Sequence, residues 1–214
     1  DDKEEQKLSL EKFIETHPPS FLYHLVSGHI YRFEGNFTLS KYHYEKAIEI
    51  YPTNAAAHFH LGFLYATRIR DMELALSEIE KSIELNENDA WVRFWHVILL
   101  LDYKKDKKAA YNEFKKLISL DTGNAAYHWA FGSFLMEECH KFDKAKEELE
   151  NAIQFRPKFS EAHHRLGYLL EHHYNDLAGA KFEYELAQKI KIEGSENSIG
   201  ECPNTIMIRK TAHH

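Results

Sequence analysis

Along most of the chain, apolar and small residues return at steps of three and four, the spacing that gathers side chains on one face of an α-helix. The pattern breaks near Gly35, Arg70, Lys105, Lys141 and Asn175 and restarts after Ser20, Asn54, Asp89 and Asn124. Each of those four restart residues can offer a side-chain oxygen to the free N–H groups of a first helical turn, and Ser160 is expected to do so for the last restart. Val and Thr are scarce, and only five prolines and nine glycines interrupt the pattern. The pattern therefore predicts an all-α chain of short helices in pairs.

The pairs repeat. AAAHFHLGFLYA at 55–66 returns as SEAHHRLGYLLE at 160–171, and aligning the two places Gly28, Gly62, Val97, Gly132 and Gly167 in one column. Successive spacings are 34, 35, 35 and 35 residues. A second column holds Ser40, Ala75, Ala110, Ala145 and Ala180, and a third Tyr44, Ile79, Phe114, Leu149 and Tyr184. Small residues in the first two columns let two helix backbones come close, and the bulky column fills the space beside them. Five helical hairpins are predicted, over 21–54, 55–89, 90–124, 125–159 and 160–194.

Leu61-Gly62, Tyr65, Ala75 and Ile79 in the second unit, with Pro52 and Pro157 closing the first and fourth, resemble the tetratricopeptide repeat. The resemblance implies a right-handed superhelical solenoid of antiparallel helix hairpins. Units two to five carry one residue more than the family's unit, expected to lengthen the turn between the helices. His24, His58, His128 and His163, with Arg93 in the third unit, stand where the family has Trp. Residues 1–20, with Leu8, Leu10, Phe13 and Ile14 on one helical face, are expected to form a capping half-repeat. Residues 195–214 read as a tail with an apolar Ile206-Met207-Ile208, expected either to pack on the array or a neighbouring chain or to be held by incidental contacts alone.

In the family the first helix of each unit lines a concave groove through its second, fifth and ninth positions. Carried onto this chain, those positions give a candidate partner-binding set of Leu25, His29, Phe59, Phe63, Trp91, Phe94, Ile98, Trp129 and Tyr168. An apolar, aromatic groove fits a protein or peptide segment bearing Leu, Phe or Met anchors. An aromatic at the fifth position is also common in the family for packing, so Phe63, Trp91 and Ile98 carry more of the argument than Phe59, Phe94 and Trp129. Family members that grip acidic chaperone tails use a Lys and an Asn where the first unit here has Leu25 and His29, which disfavours that ligand. The third unit's first helix is apolar around much of its circumference, so Trp95 is expected either deep in the array or as an anchor on a second docking face.

Charge and chemistry narrow the classes further. The formal net charge is −7 with acids and bases interleaved, against a nucleic-acid surface. No apolar run reaches the roughly 18–20 residues of a membrane span. Repeated histidines one hairpin apart are separated by roughly 8–10 Å, too far for ligands of one metal ion at about 2 Å. No phosphate loop, nucleophile elbow or zinc-binding helix is legible, and Cys139-His140 lacks an orienting third group. No cofactor, metal or catalytic residue is expected. With two cysteines and no visible targeting segment, a cytoplasmic scaffold or adaptor, or a subunit of a larger assembly, is expected. The alternative is an interaction domain of a larger protein whose activity, enzymatic or otherwise, lies outside these residues.

Overall fold

The computed structural model describes residues 20–195. The cap expected over 1–20 and the tail expected over 195–214 lie outside that span apart from Ser20 and Ser195. Ten α-helices and no strand occur among the described residues: α1 Phe21–Phe33, α2 Phe37–Ile50, α3 Ala55–Leu64, α4 Met72–Leu85, α5 Ala90–Leu99, α6 Lys107–Leu120, α7 Ala125–Glu137, α8 Phe142–Phe155, α9 Ser160–His173 and α10 Leu177–Ser195.

Four of the five expected caps form. Ser20 accepts from the Tyr23 N–H at 3.3 Å, Asn54 from Ala57 at 3.0 Å, Asp89 from Val92 at 3.1 Å and Asn124 from Ala126 at 3.1 Å. Asn36, Asp71 and Asp106 cap the second helices in the same way. Ser160 does not cap. Phe159 holds the cap position of α9 without a side-chain bond, and the Ser160 hydroxyl donates to the Ala187 carbonyl at 2.9 Å. Residue 160 stands where Ala55 stands in the second unit, inside the helix and facing its partner. There the same junction is made in reverse, by Ser82 donating to the Ala55 carbonyl at 2.8 Å.

The hairpins turn through left-handed residues at Gly35, Arg70, Lys105, His140 and Asn175. The fourth break thus falls one residue before Lys141. The extra residue does not simply lengthen the turn. In the second and third units it is taken into the first helix, which ends in a π-helical turn at Tyr65–Ile69 and at Leu100–Lys104. The Arg70 N–H closes the first of these on the Tyr65 carbonyl at 2.8 Å. A π turn admits one residue without breaking the ladder, so the side chains on either side keep their faces.

Two compact units, residues 1–105 and 106–214, divide the chain. In the first, α1 packs on α2, α3 on α4, and α2 and α4 on the following first helices. In the second, α7 packs on α8, α9 on α10, and α8 on α9. The glycine column explains how closely the pairs approach. A Cβ added at Gly28 would stand 2.5 Å from Tyr44 Cε1, at Gly62 2.9 Å from Ile79 Cγ1, at Gly132 3.0 Å from Leu149 Cγ and at Gly167 3.0 Å from Tyr184. The carbonyls of Ala75, Ala145 and Ala180 lie 3.1, 3.1 and 3.2 Å from the same added atoms. Both small-residue columns face each other across the hairpin, and the bulky column closes on the glycine.

Candidate binding face

The recurring histidines tie each hairpin to the loop before it. His58 donates from Nδ1 to Glu78 Oε2 at 2.7 Å and from Nε2 to the Pro52 carbonyl at 2.9 Å. His128 does the same with Glu148 at 2.6 Å and Thr122 at 2.9 Å, and His163 with Glu183 at 2.6 Å and Pro157 at 2.9 Å. In the third unit Arg93 stands at the same position, its Nε donating to the Glu87 carbonyl at 2.7 Å. Each imidazole ring thus stands between a carboxylate and a backbone carbonyl. The Glu148 bond accordingly pushes the His128 pKa above its ordinary value, against the effect of burial. The first unit differs. His24 and His43 share a hydrogen bond between Nδ1 atoms at 3.0 Å, and burial lowers both pKa values, with the nearby Lys46 adding to this at His24 and His24 itself at His43. The histidines of this column are clasps. Among the described residues no three His, Cys, Asp or Glu side chains gather as a metal site would require, and burial raises the Cys139 pKa, away from a reactive thiolate.

Burial divides the candidate binding residues. Phe59, Phe94, Ile98 and Trp129 are buried, consistent with a packing role, and Leu25, His29 and Phe63 are half-buried. Trp91 and Tyr168 are open, at 36% and 39% exposure. Within the first unit, Phe59 meets Phe63 at 5.9 Å between ring centroids, Phe63 meets Trp95 edge-on at 4.9 Å, and Trp95 meets Trp91 at 6.3 Å. Trp91 in turn stacks over Phe94 at 6.0 Å. Trp95 is therefore no exposed anchor on a second face: it is buried and joins the aromatic run from α3 to α5. In the second unit, Trp129 lies 5.8 Å from Phe159, and Tyr168 stacks on His172 at 4.1 Å.

The sixth position of a first helix meets the ninth position of the one before it. His60 packs against His29 at 4.3 Å, as Trp95 does against Phe63. His29 also bonds to the Tyr44 hydroxyl at 3.1 Å. Burial, with Arg32 adding to it, lowers the His29 pKa to about 4; burial, then His29 and Arg32, lowers that of His60 to about 3. Arg32 itself closes α1, its guanidinium 5.0 Å from the Phe33 ring centroid and 5.4 Å from that of Phe63. The second, fifth and ninth positions omit this residue.

A family model described as TPR repeat matches residues 28–67. No curated protein matches the chain in sequence. Among solved structures, one of MamA superposes with a TM-score of 0.70 at 21% identity, over 86% of this chain and 98% of that one. A MamA structure from Desulfovibrio magneticus RS-1 gives 0.72 at 15% identity, over 85% and 99%. YrrB, described as a TPR protein with an unusual peptide-binding site, gives 0.67 at 16% identity, over 87% and 94%. The fold is that of an all-helical array of repeated hairpins. Residues 28–67 carry the tetratricopeptide repeat pattern, and the arrays of similar fold include tetratricopeptide-repeat proteins. No helix among the described residues is long and apolar enough to cross a membrane.

Proposed function

We propose that the chain is a non-catalytic scaffold that holds a segment of a partner protein against the aromatic face of its first helices, as an adaptor or a subunit of a larger assembly. The observation that carries this is the ring contact running Phe59, Phe63, Trp95, Trp91 across α3 and α5, ending on a Trp open to solvent. Buried rings give that face a rigid floor, and Trp91 offers area that becomes favourable once a partner covers it. Leu22 and Leu25 on α1 extend the apolar surface. YrrB lends support, since a peptide-binding site is attributed to that array of similar fold. The ligand that fits is an amphipathic helix or extended segment with Leu, Phe or Met anchors.

Affinity capture from the native source tests it, comparing the chain with a Phe63→Ser, Trp91→Ser variant whose helicity is checked by circular dichroism. A partner lost with the variant supports binding at this face. Equal capture by both proteins overturns it.

A further inference from the structure

Beside the aromatic run lies a cation that has no carboxylate partner among the described residues, its polar neighbour being the Tyr44 hydroxyl. Arg32 lies against two phenyl rings, and one of them, Phe33, is 66% exposed. Among the described residues no carboxylate comes within 4.0 Å of it, and its Nε is buried without a hydrogen-bond partner. The positions one helical turn away on either side are Gly28, His29, Gly35 and Asn36, none of them acidic. Trp95, which meets the same Phe63 edge-on, carries a second buried donor without a partner, Nε1. Two buried donors near one ring, Arg32 Nε and Trp95 Nε1, thus lack a hydrogen-bond partner.

A structural role accounts for part of this. Arg32 sits in the last turn of α1, where a cation suits the helix dipole, and its flat faces are satisfied by the rings. Neither effect uses the in-plane N–H groups, and with the neutral Tyr44 hydroxyl as the polar neighbour Nε still lacks a partner, so the fork remains matched to a carboxylate. With the guanidinium already pinned, little side-chain freedom remains to be lost when a carboxylate arrives.

We infer that Arg32 reads an Asp or Glu side chain within the bound partner segment, seated beside an apolar anchor that packs on Phe33 and Phe63. The inference rests on the binding role proposed above and adds the chemistry of its ligand. A phosphate would call for more than one cation at the site, and among the described residues Arg32 is the one cation recorded against Phe33 and Phe63. It also differs from a grip on a free chain terminus, for which Leu25 and His29 supply no charge-assisted donor. Since the chain as a whole carries −7, the acidic residue belongs to a segment otherwise apolar or basic.

The test is selection of a random twelve-residue phage library, fused so that no peptide has a free carboxy terminus, on the intact chain and on Arg32→Leu. Enrichment on the intact chain of peptides with Asp or Glu at a fixed offset from Leu or Phe, absent on Arg32→Leu, is expected. For one such synthetic peptide, Glu→Gln or Asp→Asn should weaken binding to the intact chain about tenfold or more, but leave binding to Arg32→Leu nearly unchanged. Arg32→Lys should recover only part of the loss. Apolar peptides enriched without a fixed acid would overturn the carboxylate inference while leaving the binding face intact. No enrichment on the intact chain would overturn both.

Discussion

Nδ1 of His128 stands 2.6 Å from Glu148 Oε2, and its Nε2 stands 2.9 Å from the Thr122 carbonyl, so one ring joins both helices of a hairpin to the loop that precedes it. The carboxylate raises the His128 pKa above its ordinary 6.5. A folded state that holds its proton more tightly gains stability that is fully present below the unfolded pKa and lost as pH rises through the folded one. Glu148→Gln should therefore cost about 1–2 kcal/mol at roughly pH 6 and clearly less at roughly pH 9. Urea midpoints across that range check it, and a cost independent of pH would contradict it.

The opposite sign holds in the first unit. His29 and His60 have pKa values lowered from 6.5 to about 4 and about 3. An unfolded chain binds protons there first, so stability falls as pH drops below 6.5 toward those values. Hydrogen exchange, corrected for intrinsic chemistry, should show residues 21–64 losing protection on acidification before residues 125–173 do. His60→Phe should blunt the loss. Uniform loss along the chain would count against it.

Gly28 and Tyr44 offer a sharper packing test. An added Cβ would meet ring atoms at 2.5 and 2.6 Å, and Tyr44 is fully buried with its hydroxyl bonded to His29. Gly28→Ala gains up to about 1 kcal/mol of helix propensity but overpacks at a typical cost of about 1–3 kcal/mol, so a net loss is expected. Gly123→Ala, with nothing within 4 Å of the added atom, should be neutral within about 0.5 kcal/mol. Thermal unfolding compares them directly.

Ser160 separates a cap from a cross-helix bond. If its hydroxyl serves Ala187, as the 2.9 Å distance shows, then Ser160→Ala costs about 1 kcal/mol. Ser160→Asp should cost more, because a carboxylate cannot donate to that buried carbonyl. A residue acting as a cap would tolerate Asp. Denaturant titration of the two variants gives the order.

How far the sequence revealed all this depends on what each feature needed. The hairpin repeat was legible because each glycine answers one bulky residue on the partner helix, and such columns survive in one dimension. The histidine column was legible, yet its partners Glu78, Glu148 and Glu183 were missed, although with Glu113 between the first two they fall on one 35-residue step. His43 replaces them in the first unit, which hid the column. The extra residue was assigned to the turn because spacing counts residues without saying which hydrogen bonds absorb them. Trp95 was left open between the interior and a docking face because a helix apolar nearly all round gives no direction. Arg32 fell outside the family's groove positions. Its signal was an arginine beside a phenylalanine with no acid one turn away on either side.

The binding face is tested most directly by photo-crosslinking in the native source, with a benzoylphenylalanine placed at Trp91 on α5 or, as a control, at Tyr42 on α2. Both positions are exposed, and only the first belongs to the aromatic run. A discrete partner crosslinked from 91 and not from 42 is the predicted result. A partner crosslinked from 42 and never from 91 would contradict the account.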